Sequence, residues 1–229
     1  MYLSGVENFI NDIFSFSTDV MGTGALLIAS FTSLFSVVNP IAAMPVFLSL
    51  MGDHPAEDQV RTARKSAVFM FLVLVTFLFL GTFILSFFGI SLPGIMIAGG
   101  FVIMRAGFSM MNPETGGRKL SKKDQEAAME KEDVSFSPIA MPLLSGPGSI
   151  AVVIGFGSQA SGVTDYLINT VAVLLCAFVA WGILRVAPWL NTVIGRSGMT
   201  VVTRMMGFIA LAIGVQFVIN GIGSFFGLN

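Results

Sequence analysis

Apolar residues fill this chain in long runs, and charges gather in the short stretches between them. A helix needs roughly 20 apolar residues to cross about 30 Å of hydrocarbon. Six runs meet that length, at 20–51, 67–88, 91–111, 136–158, 166–187 and 201–226, and the only charge inside them apart from positions near their ends is Arg105. The pattern predicts an all-α polytopic membrane protein, a single integral membrane domain over 1–229 with six transmembrane helices. Residues 1–19 interleave aromatic and apolar positions with Glu7, Asp12 and Asp19. They lack the positive leading region of a secretory signal, so they read as a retained amphipathic lead-in lying at the interface.

Composition narrows the possibilities. Hydrophobic residues make up 55% and charged residues 11%, against a usual charged share of about 25%, which is too little to coat a soluble globule. The net charge of -1 offers nucleic acid no basic surface, so the expected partners are the lipid bilayer and a small-molecule substrate. A single cysteine, Cys176, and a single histidine, His54, exclude a disulfide framework, a thiolate cluster and a histidine metal centre. No cofactor is expected.

The placement of positive charge carries orientation. Lysine and arginine are held on the cytoplasmic side during insertion. Arg61, Arg64 and Lys65 follow the first span, Arg118, Lys119, Lys122, Lys123 and Lys131 the third, and Arg185, Arg196 and Arg204 flank the turn between the last two. With six spans all of them share one side, and Arg105 lies near that end of its helix. Both termini are therefore expected on the periplasmic or extracellular face of a multi-pass inner-membrane protein. The mixed-charge stretch 112–135, part helix over 121–132, reads as a cytoplasmic linker between two groups of three spans, 20–111 and 136–226.

The two groups echo each other. Asn39-Pro40-Ile41-Ala42-Ala43-Met44-Pro45 opens one, and Ser137-Pro138-Ile139-Ala140-Met141-Pro142 opens the other. Gly100-Phe101 followed by Gly107 recurs as Gly207-Phe208 followed by Gly214. Three is an odd number of spans, so a duplicated unit is turned over in the membrane. The expectation is two inverted three-helix repeats with helices 1 and 4 broken at the proline strings, an arrangement that secondary transporters use to build a site near the midplane.

Backbone accounting explains why such breaks matter. In lipid an unpaired N–H or C=O costs several kcal/mol, and proline removes a donor while blocking the preceding turn. Asn39-Pro40 and Ser137-Pro138 have the pattern of an N-cap with proline at the first helical position. Gly146-Pro147-Gly148-Ser149 repeats the idea deeper in the fourth run, leaving free N–H groups suited to a carboxylate. Carbonyls upstream of each break suit an ammonium group or a cation. The candidate substrate contacts are Asn39, Pro40, Ser137, Pro138, Ser145, Gly146, Pro147, Gly148 and Ser149, with Gln216 and Asn220 in the last span. That last pair, four residues apart on one face, serves equally as hydrogen-bonding partners for neighbouring helices. The paired glycines read as helix packing surface.

In combination the strings NPIAAMPVFLSL, PIAMPLLSGPGS, IAGGFVIMRAGF and RMMGFIALAIGVQFVINGI resemble the MarC family of bacterial and archaeal membrane proteins, over nearly the whole chain. The resemblance implies a six-span protein of the cytoplasmic membrane and membership of a group described as transporters of small neutral amino acids such as alanine and glycine. Arg105 stands where that family usually has an apolar residue, and the lead before the first span is longer than in many members. Arg105 is expected to snorkel to the cytoplasmic interface.

Together these features point to a secondary transporter of small neutral amino acids working by alternating access. Export of drugs or other small metabolites is the alternative, as is a membrane partner protein that transports nothing. No carboxylate or histidine lies within a span, so a proton relay has no parts; if an ion is coupled, sodium held by main-chain carbonyls is the candidate. An enzyme is not expected, because Ser149 has no base to activate it. No phosphate-binding glycine loop with its lysine is present for ATP.

Overall fold

The computed structural model describes residues 22–112 and 134–228. Four helices come first: α1 (Thr23–Val38), α2 (Pro40–Met51), α3 (Ala56–Phe88) and α4 (Leu92–Met111). A ten-residue π-helical segment, Ser135–Leu144, then leads to α5 (Pro147–Gln159), α6 (Val163–Gly195) and α7 (Ser197–Phe226). The described residues hold no strand. The lead-in 1–19 and the linker helix expected over 121–132 lie outside the described residues.

Five stretches are long and apolar enough to cross a membrane: Thr23–Met51, which joins α1 to α2, and the helices α3, α4, α6 and α7. The expected fourth span is not a continuous helix. Its first part is the π segment, where Ser137 (φ -131, ψ 120) and Met141 (φ -129, ψ 124) leave helical geometry. Each immediately precedes a proline, whose ring forces the residue before it toward extended backbone. Regular helix resumes only at Pro147, and its 13 residues reach about 20 Å, short of a bilayer. Ser137-Pro138 is accordingly not a helix start, contrary to the capping pattern in the sequence. Pro45, by contrast, is carried inside α2 without a break.

Elsewhere the helices outrun the apolar runs. α3 begins at Ala56, ahead of the run at 67, with Glu57 and Asp58 in its first turn, where acidic side chains complement the helix dipole. α6 continues beyond 187 through Pro188 and turns only at Gly195 (φ 71, ψ 174), a left-handed backbone open to glycine without a side-chain clash.

Several elements before residue 112 recur after residue 134 at one spacing. α3 and α6 are each 33 residues long; their starts, 56 and 163, and their ends, 88 and 195, are both 107 positions apart. The short helices before them, of 12 and 13 residues, start on Pro40 and Pro147, again 107 apart. So do Gly100 and Gly207, and Gly107 and Gly214.

α4 and α7 pack antiparallel through those glycines. A Cβ at Gly100 would lie 2.7 Å from the Gly214 carbonyl oxygen, and one at Gly214 would lie 2.7 Å from that of Gly100. Gly107 and Gly207 repeat the contact at 2.6 and 2.9 Å. Backbones this close admit no side chain, the usual means by which membrane helices without a hydrophobic driving force gain contact.

Away from this seam, α1, α2, α3, α5 and α6 contribute to a core that includes Leu34, Phe47, Met70, Leu78, Val153 and Cys176. Tyr166 of α6 stacks on Phe79 of α3 at 5.2 Å and donates its hydroxyl to the Gly157 carbonyl at 3.0 Å, tying three helices together. Phe69 meets Phe136 edge-on at 5.4 Å and anchors the π segment on α3. Phe83, Phe87, Phe178, Phe208 and Phe225 are exposed. A soluble monomer rarely shows apolar surface on that scale; here it is the face turned to lipid.

Candidate functional site

Two interruptions of the helical backbone meet at one cavity. The first is Asn39, the only non-glycine with positive φ among the described residues (φ 45). Asparagine tolerates this left-handed conformation better than most residues because its short amide bonds locally. Asn39 ends α1 through its N–H, donated to the Phe35 carbonyl at 2.9 Å. It also starts α2, its carbonyl and its side-chain oxygen accepting from the Ala42 N–H at 3.0 and 3.4 Å. Its amide nitrogen donates to the Met206 carbonyl on α7 at 3.4 Å. Pro40 is fully buried at the first position of α2.

The second interruption, Ser145-Gly146-Pro147, is built differently. Gly146 caps α5 with extended backbone (φ -70, ψ 170) and has no side chain to close the helix start. The N–H groups of Gly148 and Ser149 therefore lie in the first turn, where helix geometry supplies no acceptor. The Ser149 hydroxyl donates back to the Leu144 carbonyl at 3.1 Å. Close packing fixes this turn: a Cβ on Gly148 would meet Ile103 at 2.5 Å and Val37 at 3.1 Å.

The cavity between them has a volume of about 60 Å³. Val37, Val38, Asn39, Ala42 and Ala43 line it from the first break, and Leu143, Gly148 and Ser149 from the second. Val102, Ile103, Ala106 and Met110 of α4 and Ala210 of α7 complete it. No ionisable side chain is among these. Pockets that hold drug-sized molecules run to roughly 300–1,000 Å³, several times larger.

Of the residues singled out in the sequence, Asn39, Gly148 and Ser149 line this cavity. Pro40 adjoins Asn39, and Gly146 lies two residues before Gly148. Pro147 is exposed, and Ser137 is half-buried in the π segment. Pro138 follows it there, at the first departure from helical backbone. Ser145 is buried, and its hydroxyl has no hydrogen-bond partner. Gln216 and Asn220 are exposed on α7 and bond each other at 2.7 Å, away from the cavity. Arg105 is exposed on α4 and does not line it either. The apolar wall from α4 and α7 carries no sequence signal of its own, and neither does the buried bond from Ser30 of α1 to Asn169 of α6 at 2.7 Å.

These features define a polytopic α-helical membrane protein with a small cavity, free of ionisable side chains, where two helix breaks meet. The chain belongs to the MarC family: residues 24–226 match the model of the MarC family integral membrane protein. It is 37% identical over 195 residues to the UPF0056 membrane protein MJ1677 of Methanocaldococcus jannaschii, covering 85% of this chain and 95% of that one. It is 34% identical over 196 residues to the UPF0056 membrane protein YhcE of Escherichia coli K12, covering 86% and 91%. The UPF0056 inner membrane protein MarC of Escherichia coli UTI89 is 32% identical over 199 residues, covering 82% and 90%. No solved structure matches the chain.

Proposed function

We propose that this protein is a secondary transporter of small neutral amino acids, of glycine or alanine size, working by alternating access between two inverted repeats. The carrying observation is the cavity at the two helix breaks, small and free of ionisable side chains. A zwitterion needs opposite partial charges a few ångströms apart. The carboxyl end of α1, at Val37 and Val38, supplies carbonyl oxygens without intrahelical donors, and the amino end of α5, at Gly148 and Ser149, supplies N–H groups without acceptors. All four residues line the cavity. The ammonium group goes to the first and the carboxylate to the second, with Ala42, Ala43, Ala106 and Ala210 around a hydrogen or a methyl group.

The constant spacing of 107 positions between matching elements supports the repeat. So does the reciprocity of the glycine seam: Gly100 meets Gly214 and Gly107 meets Gly207, pairs that exchange when each residue is replaced by its counterpart. Antiparallel counterparts in reciprocal contact imply a two-fold axis across the helices, which lies in the membrane plane when they cross it. In this reading the π segment and α5 together make the sixth crossing, and both termini lie outside the cytoplasm. Any coupling ion is sodium, held by the carbonyls at the breaks. The Ser149 hydroxyl is committed to a carbonyl, which favours binding over nucleophilic chemistry.

Uptake of labelled alanine and glycine into liposomes holding purified protein, with and without a sodium gradient, tests this. Accumulation or counterflow above empty liposomes is expected. No signal for any small neutral amino acid overturns the substrate assignment.

A further inference from the structure

The cavity is lopsided. Nine of its residues lie before the linker and only Leu143, Gly148, Ser149 and Ala210 after it. Moving each position by the repeat spacing of 107 gives the wall of its counterpart. Ala42 and Ser149 exchange, as do Ile103 and Ala210, so these four belong to both. Val37, Val38 and Ala43 become Leu144, Ser145 and Ile150. In this structure Leu144, Ser145 and Ile150 do not line the cavity; Leu144 and Ser145 are buried and Ile150 is half-buried.

Ser145 is the informative member. Its hydroxyl is buried without a partner, beside a helix start that helix geometry leaves rich in free N–H groups. A buried hydroxyl without a hydrogen bond is destabilising and uncommon in a settled structure. Its counterpart, Val38, already lines the open cavity. The orphaned hydroxyl therefore has a place to be satisfied in a state where its own side of the repeat opens.

We propose that the protein has a second cavity, closed in this structure and lined by Leu144, Ser145 and Ile150, in which the Ser145 hydroxyl contacts the same small zwitterion. It shares a wall with the first, so the two are forms of one site and open in turn to opposite faces. This rests on the inverted-repeat reading above.

Cysteine accessibility tests it without reference to any substrate. Cys176, buried and the sole cysteine, is replaced by alanine, and Val38→Cys, Ser145→Cys and Leu144→Cys are made singly in that background. Each is exposed to a membrane-impermeant methanethiosulfonate in right-side-out and in inside-out vesicles. Val38→Cys is expected to react from one face, and Ser145→Cys and Leu144→Cys from the other. The latter two should react about tenfold or more slowly, because a minor state is commonly 0.1–10% populated. Reaction of all three from the same face, or silence of both Ser145→Cys and Leu144→Cys from either face, overturns the second cavity. Leu144→Cys carries the test where Ser145→Cys fails to fold. Slowing of labelling by added alanine or glycine reports on the proposed substrate: opposite-face labelling without protection keeps the second cavity and removes the amino-acid assignment.

Discussion

The two breaks solve one problem by opposite means. At Asn39 a side chain does the work, capping α2 and reaching the Met206 carbonyl across to α7, in a backbone conformation that favours asparagine or glycine. At Gly146 there is no side chain, and the chain before it is held away from helical geometry at Ser137 and Met141. The Asn39 side chain closes the start of α2, whereas no side chain closes the start of α5, whose Gly148 and Ser149 line the cavity. A helix interruption serves as a joint where a side chain closes the following helix; where N–H groups are left open, as at the second break, the proposed function gives them the carboxylate.

That contrast is sharpest at Gly148. Gly148→Val drives carbon into Ile103 and Val37 and fills the space at the open donors. Overpacking of about 1–3 kcal/mol corresponds to roughly fivefold to 150-fold, and uptake in liposomes is expected to fall by that factor or to background while yield and helix content persist. Retained uptake would detach the second break from binding. Next in size is the seam that holds the breaks opposite each other. Gly107→Ala places a Cβ on the Gly207 carbonyl and is expected to cost about 1–3 kcal/mol, read as a lowered melting temperature in detergent. Gly182→Ala, where a Cβ meets nothing within 4 Å, is the neutral control.

The joint itself should respond more mildly. Asn39→Ala removes the cap and places alanine in a left-handed backbone, costing about 1–2 kcal/mol. Asn39→Gly keeps the backbone freedom and should recover most of that, a ranking that thermal unfolding would check. If alanine and glycine are equally harmful, the bond to Met206 matters more than the conformation. Smallest of all, Gln216→Leu with Asn220→Leu is expected to leave uptake unchanged and stability within about 0.5 kcal/mol, because that pair satisfies itself on the exposed side of α7.

The apolar runs and the proline breaks were legible because both follow from the cost of bare peptide groups in hydrocarbon. The register of the proposed repeat was half legible. The proline strings suggest that Pro40 corresponds to Pro138, whereas the glycines give the spacing at which Pro40 corresponds to Pro147. The structure's element ends follow the glycines: Pro147, not Pro138, begins a regular helix. Short strings of small residues and prolines recur easily, while a backbone contact tolerates no shift. The cavity wall from Ile103, Ala106 and Ala210 was not legible, since a membrane helix is apolar on every side and its hydrophobic pattern does not mark the inward face. Gln216 and Asn220 stood out as polar residues at depth, but a pair four positions apart on one helix quenches itself and needs no ligand.

The glycine seam also bears on descent. Counterparts that touch reciprocally are what two identical short chains would form if inserted in opposite senses and paired about a dyad. On the proposed symmetry, the present protein is such a dimer fused by its linker, and fusion freed its halves to diverge, so that asparagine came to stand on one side where glycine stands on the other.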